Sequence, residues 1–220
     1  MIDIKISEQL KLKWNDIAIG SVEADIVVMP SNKLLIQRLD SACEELASKL
    51  KVEDISKLKV IHDSRKAYKT LGKDPARYRL SSEALLRRIV KEKGIYKINN
   101  IVDINNLISI TSFYSICAFD TSKIEPPVQF TIGTKEDEYF GIGRGLLNIE
   151  NLPVFEDQIG KFGSPTSDSE RVKITDHTIQ ISMNIISFSG VNDLEIQVNK
   201  LLKNLTDFAN AKNVESNIIV

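Results

Sequence analysis

The chain has 220 residues, with 29 Lys and Arg against 30 Asp and Glu, 42% apolar residues and only 6% aromatics. A chain of this size buries roughly 70% of the surface its unfolded form exposes, so one generous domain needs no disulfide or metal staple, and the apolar fraction excludes general disorder. No apolar run approaches the ~20 residues that cross a bilayer, and Met1 to Ile6 alternates charged with apolar residues unlike a signal peptide, which points to a soluble, cytoplasmic globular protein without membrane association.

Ile2, Ile4 and Ile6 alternate with charged residues and predict a first strand. A second strand is expected from about Asp16 to Val28. After Pro30, Ser31 is placed to cap a helix on which Leu35, Leu39, Ala42, Cys43, Leu46 and Leu50 recur at three- and four-residue steps. A further helix is expected over Asp54–Leu71, ended by Gly72. Ser81 opens the next, with Leu85, Leu86, Ile89 and Val90 as its buried stripe and Gly94 as its stop. Asn99–Phe113 fits a helix better than a strand. From Pro126 onward the pattern changes: Val128, Phe130 and Ile132 alternate, as do Ile179, Ile181, Met183 and Ile185, and five of the ten glycines lie between Gly133 and Gly160. A last amphipathic helix is expected over about Val191–Ala211. The class is α+β, with helices concentrated in the first half and strands in the second.

The two cysteines, Cys43 and Cys117, and the two histidines, His62 and His177, are widely separated and form no ligand motif, so no metal and no cofactor is expected. Cys43 reads as a small core residue on its helix, and His177 as an exposed residue in a turn. The Gly141-Ile-Gly143-Arg-Gly145 run lacks the strand–helix context of a phosphate loop, because Pro153 breaks any following helix; a glycine-kinked strand or turn fits better. Lys161–Glu170 is rich in Gly, Ser, Thr, Pro and Asp. It can offer backbone N–H groups and hydroxyls to an oxyanion, or serve as a plain surface loop. Asp103, Asn105 and Asn106 can be helix caps and turn bonds, or Asn106 and Cys117 can share one polar pocket. Charge is uneven: twelve Lys and Arg stand against four carboxylates between Lys57 and Lys93. This segment can dock a polyanion or form solvated helix faces.

Gly94 to Asn106, with Asn99-Asn-Ile-Val-Asp-Ile-Asn-Asn106, followed by Cys117-Ala-Phe-Asp120, resembles the B3/B4 editing domain of the phenylalanyl-tRNA synthetase beta subunit. Arg65, Tyr68, Gly72, Asp74-Pro-Ala-Arg-Tyr-Arg79, Ser81-Ser-Glu83, Arg87-Arg88 and Phe162-Gly-Ser-Pro-Thr-Ser-Asp168 resemble the signature of its free-standing relatives. The resemblance covers roughly residues 60–200. It implies layered helices packed on a β-sandwich-like sheet core. Residues 1–59 then form a strand and helix portion on the same core, 60–211 the B3/B4-like domain, and 212–220 a short tail.

In the synthetase this module hydrolyses tyrosine wrongly esterified to phenylalanine tRNA. The resemblance puts a substrate pocket at Asn105, Asn106, Cys117, Gly163 and Ser164, with Asn106 and Cys117 as weak catalytic candidates. Asn105 stands where the family has Thr, and Cys117 where it has His. The family's Glu falls near Lys173–Thr175, where no carboxylate stands. A thiol of pKa near ~8.5 does not replace imidazole as a base. The implied function is a stand-alone module that binds an aminoacyl group on tRNA; if it hydrolyses that ester it is a deacylase acting in trans, and it is no synthetase by itself. The alternative is a non-enzymatic module for a free amino acid or similar small ligand. Expected RNA contacts are Arg65, Lys66, Lys69, Arg77, Arg79, Arg87 and Arg88. Arg77, Arg79, Arg87 and Arg88 are also expected to pair in part with Glu83 and Asp103.

Overall fold

Phe119, fully buried, holds two sheets together. The edges and faces of Phe155 and Phe162 meet its ring at centroid distances of 5.2 and 4.9 Å. The computed structural model describes residues 1–220. One sheet has the order β1 (Ile4–Ile6), β4 (Val128–Ile132), β7 (Pro153–Glu156), β8 (Lys161–Gly163), and β1 runs parallel to β4. The other has the order β10 (Lys212–Ile219), β2 (Ala18–Asp25), β9 (Gln180–Ser187), β3 (Ser115–Asp120), and is antiparallel throughout. β5 (Glu138–Gly141) and β6 (Gly145–Asn148) form a separate hairpin. The class is α+β.

The strands β2, β3 and β9 are buried along nearly their whole length. One face meets the β1–β8 sheet and the other is covered by α6 (Asn100–Ser112) and α7 (Leu194–Ala209), with α2 (Lys33–Lys49) packed outside α6. α7 lies tight on β2 because Gly20 has no side chain: a Cβ there would sit 2.7 Å from Val198 Cγ2. α5 (Ser81–Val90) packs against β3, α6 and α2.

Several boundaries differ from the sequence expectation. α1 (Glu8–Lys13) is an extra six-residue helix, capped by Ser7 Oγ accepting from Leu10 N. The helix expected over Asp54–Leu71 is two helices, α3 (Val52–Ile55) and α4 (Lys59–Leu71), separated at Leu58, whose extended ψ of 125° interrupts the helical turn. Residues 212–219 are not a tail: they form β10, whose backbone pairs with β2 from Lys212 to Ile219 across one irregularity. The segment 1–59 supplies strands to both sheets, so it is built into the core.

Two polar clusters fix the helices. Asn100, 1% exposed, accepts from Met29 N at 3.0 Å and donates to Val27 O and Phe208 O at 2.8 and 2.9 Å, which ties the end of α7 to the segment before α2. Glu83, fully buried, receives Arg65 Nη1 at 3.0 and 2.9 Å and Arg87 Nε at 2.9 Å, which ties α5 to α4. Asp103 does not pair with an arginine. It accepts from Ser31 Oγ at 2.6 Å and Ile98 N at 3.2 Å, because the start of α6 faces the α2 entry rather than α5.

Removing one partner from a buried pair strands the other charge. Glu83→Gln is expected to cost about 3 kcal/mol in urea unfolding. Asn100→Ala leaves the buried Phe208 carbonyl, the part-buried Val27 carbonyl and the Met29 amide without this partner, and is expected to cost about 2 kcal/mol in the same measurement. A loss under about 0.5 kcal/mol for either contradicts the burial argument.

Candidate functional site

At the free edge of its sheet, β3 turns backbone groups away from β9. Side chains meet them. Asn105 Nδ2, from α6, donates to Ile116 O at 3.3 Å, and Asp168 Oδ2 accepts from Ala118 N at 3.1 Å. Between these two attachments lies a polar cleft of about 310 Å³. Ser81 and Leu85 line it from α5; Asn105, Asn106 and Ser109 from α6; Ile116 from β3. Ile142 and Arg144 come from the β5–β6 turn, and Ser164, Thr166, Ser167 and Asp168 from the loop after β8.

The loop after β8 is rigid for local reasons. Ser164 Oγ donates to Ser167 O at 3.0 Å and accepts from Thr166 N and Ser167 N at 3.3 and 3.2 Å, a serine-centred turn. Tyr139 OH donates to Ser167 O at 2.6 Å, and Tyr68 OH lies 3.0 Å from Thr166 Oγ1. The β5–β6 turn is fastened to the same segment, with Ile142 N donating to Asp168 O at 3.0 Å and Gly143 N to Glu170 Oε1 at 3.2 Å. The Gly141–Gly145 run is therefore a hairpin turn that frames the cleft. It holds no helix that could receive a phosphate.

Asp168 is the one carboxylate on the cleft wall. Part of the residue reaches the surface, but Oδ1 is shut off from solvent. Burial pushes its pKa from 3.8 up to about 7, against the opposing pull of the Ala118 amide, the Cys117 thiol and the Ser164 amide. Such a group can both take and return a proton at neutral pH. Asn106 supplies an amide to the same wall and makes no side-chain hydrogen bond within the protein, whereas Asn105 is committed to β3 and to Ser109 Oγ at 3.3 Å. Arg144, exposed at the hairpin turn, brings the cleft its only cation.

The expected pocket residues therefore divide. Asn105, Asn106 and Ser164 stand on one cleft. Cys117 and Gly163 do not, and the expected common pocket for Asn106 and Cys117 is corrected here. Strand alternation turns Ile116 to the cleft and Cys117 to the opposite face, where the thiol is buried beside Asp168 and its pKa is raised, first by burial and then by that carboxylate. Gly163 lies flat on Phe119; a Cβ there would come within 2.5 Å of Phe119 Cε1 and 3.0 Å of Asp168 Oδ1. Lys173, near the position of the family's Glu, is exposed and pairs with Glu170 at 2.6 Å. Asp168 was not among the expected site residues, although the Phe162–Asp168 motif ends on it. His177 sits exposed in a turn, and no group of three or more His, Cys, Asp or Glu converges as a metal site.

The expected RNA contacts also divide. Arg65 pairs with Glu83 through Nη1, and Arg87 through Nε alone. Arg88 donates to the carbonyls of Gly94 and Lys93 at 3.2 and 3.3 Å and lies 4.5 Å over Tyr96. Lys66, Lys69, Arg77 and Arg79 are exposed. Lys73, in the same segment, is buried against Asn148 and Glu150 carbonyls and the Tyr78 ring, and burial lowers its pKa.

Because the folded chain keeps Asp168 protonated to about pH 7 and an unfolded aspartate releases its proton near 3.8, the folded state binds more protons between those values. This group's stabilising contribution is full below pH 3.8 and is lost as pH rises through about 7. Relative to Asp168→Asn, the wild type is expected to lose stability across that window, by up to about 1.4 kcal/mol per pH unit in urea unfolding. Parallel stability profiles for the two proteins contradict the raised pKa.

No helix is long and apolar enough to cross a membrane. No curated protein matches the chain. Among solved structures, an N-terminal fragment of the phenylalanyl-tRNA synthetase beta subunit from Pyrococcus horikoshii is similar over 97% of this chain and 50% of its own, at 14% identity and a TM-score of 0.50. This chain thus spans about half of that fragment, and the likeness is one of fold. The family model of the B3/4 domain matches residues 63–206, more than half of the chain, and takes in α5, α6, β3 and every residue of the cleft: the chain belongs to the B3/4 domain family.

Proposed function

We propose that the cleft receives the aminoacyl group of an aminoacyl-tRNA and hydrolyses its ester. The observation that carries this reading is that one polar cleft is lined by both the Asp168 carboxyl group, which burial raises in pKa to about 7, and the uncommitted amide of Asn106. Family membership supports an aminoacyl-tRNA as the substrate class, because the fold is shared with a synthetase subunit. A volume of about 310 Å³ is at the small end of ligand pockets and suits an amino-acid-sized group.

Ionised Asp168, through the free lone pair of Oδ2, takes a proton from a water molecule as the water oxygen adds to the ester carbonyl carbon. Asn106 Nδ2 is the donor available to the negative charge that develops on the carbonyl oxygen. The C–O bond to the ribose then breaks, Asp168 returns its proton to the leaving ribose oxygen, and the amino acid leaves as its carboxylic acid. Cys117 takes no part as a base, because its thiol is buried and held neutral. The reaction needs neither the imidazole nor the glutamate of the synthetase domain: Asp168 supplies the proton transfer.

The test is deacylation of tRNAs charged with each amino acid in turn. Wild type is expected to hydrolyse at least one, with a rate that rises through about pH 7 as Asp168 ionises. Asp168→Asn is expected to lower kcat by about a hundredfold or more, and Asn106→Ala to lower it by a smaller factor. A wild type that hydrolyses none of the charged tRNAs overturns the reading, as does an Asp168→Asn protein of full activity.

A further inference from the structure

We infer that a second hollow, on the outer flank of α5, binds the phosphodiester backbone of RNA. Arg79, Arg87, Arg88, Lys91 and Lys93 line it, with Ala84 as its only uncharged wall residue, around about 230 Å³. No carboxylate stands on that wall. Glu83 is occupied on the inner side of α5, where it holds Arg87 by Nε alone. The Nη groups of Arg87 remain as donors, and Arg88 is likewise fixed along one edge by the Gly94 and Lys93 carbonyls. Two guanidinium groups are thus set in place before any ligand arrives, and Arg79, Lys91 and Lys93 are exposed beside them.

The helix dipole does not account for the group. Cations near the C-terminus of α5 complement it, which covers Arg87, Arg88 and Lys91. Arg79 does not fit, because it precedes the helix and brings positive charge to the positive end. Arg87 and Lys91 are four residues apart and repel each other. A phosphate among them relieves that repulsion and takes up donors that otherwise face only water.

Position on the helix says which polyanion. Ala84, Arg87, Arg88 and Lys91 fall at helical spacings of three, four and seven and form one stripe of α5. Ser81 and Leu85, on the neighbouring stripe, line the Asn106–Asp168 cleft. An RNA whose 3′ end enters the cleft can therefore cross α5 and lay its phosphates in the hollow. The choice of RNA as the polyanion rests on the reading of the cleft as an aminoacyl-tRNA site. Three of the expected RNA contacts, Arg79, Arg87 and Arg88, belong to this hollow; Lys66, Lys69 and Arg77 lie outside its wall, and Lys91 and Lys93 are new members.

The experiment measures binding of deacylated tRNA across a salt series to three folded proteins: wild type, Lys91→Glu/Lys93→Glu, and Lys66→Glu/Lys69→Glu. The two variants carry the same charge change at exposed sites. The hollow variant is expected to lose at least tenfold in affinity, and its slope of log affinity against log salt to fall by about 1.5, the share of two phosphate contacts. The control is expected to stay within about threefold of wild type. Equal losses in both variants overturn the inference, as does a hollow variant that binds like wild type or a wild type that does not bind. Deacylated tRNA contains no ester. A protein that hydrolyses charged tRNA yet shows equal losses defeats the hollow alone, whereas a selective loss in a protein without hydrolysis supports the hollow and defeats the catalytic reading.

Discussion

The contact on which the site depends is the hydrogen bond from Ala118 N to Asp168 Oδ2, 3.1 Å long, between residues fifty positions apart. A free strand edge exposes N–H and C=O groups that must be satisfied or covered. At β3 this protein satisfies them with side chains, Asp168 on one side and Asn105 on the other, in place of a further strand. Two side chains leave a gap where a strand would fill the space, and that gap is the cleft. The same contact draws a carboxylate out of water. Burial at that edge raises the pKa of Asp168, while the Ala118 hydrogen bond itself pulls it down.

Packing beneath the edge makes this approach possible. Phe119, Phe155, Phe162 and Phe130 form a continuous aromatic layer between the sheets. Gly163 lets β8 rest directly on Phe119, which brings the following loop down to β3. Arg171 holds the base of that loop, with its two Nη groups on the two oxygens of Asp157 at 2.9 Å each. On the far side, the Glu83 cluster sets α5 against α4, and so places the Ser81–Leu85 wall. The cleft is thus bounded by elements tied to one another by hydrogen bonds: α5, α6, β3, the β5–β6 turn and the loop after β8.

Much of this could be read from the sequence because periodicity reports one-sided burial. β1 and the striped α2, α5 and α7 bury one face more than the other; β9 alternates Ile181, Met183 and Ile185 with Ser182 and Asn184 although both of its faces are buried. β3 escaped because it is buried on both faces and does not alternate. β7 and β8 are too short to show a period, and β10 is an edge strand rich in Asn, Glu and Ser that reads as a loop. At the site, Asn106 and Ser164 could be placed through the family resemblance. Asp168 was not singled out, because its raised pKa comes from burial against a strand fifty residues earlier in the chain. Cys117 was misplaced for a related reason: its neighbour Ile116 faces the cleft, and strand geometry assigns the thiol to the other side. The cationic segment was visible as a total, but which charges are spent on Glu83 and on backbone carbonyls is a tertiary fact.

The proton-transfer group proposed above, Asp168, stands on the loop after β8. The direct measurement is the titration of the Asp168 carboxyl carbon by NMR, with Asp168→Asn used to assign the signal. A midpoint near pH 7 is the predicted result. A midpoint near 4, as for a solvated aspartate, contradicts the desolvated edge contact and the chemistry built on it.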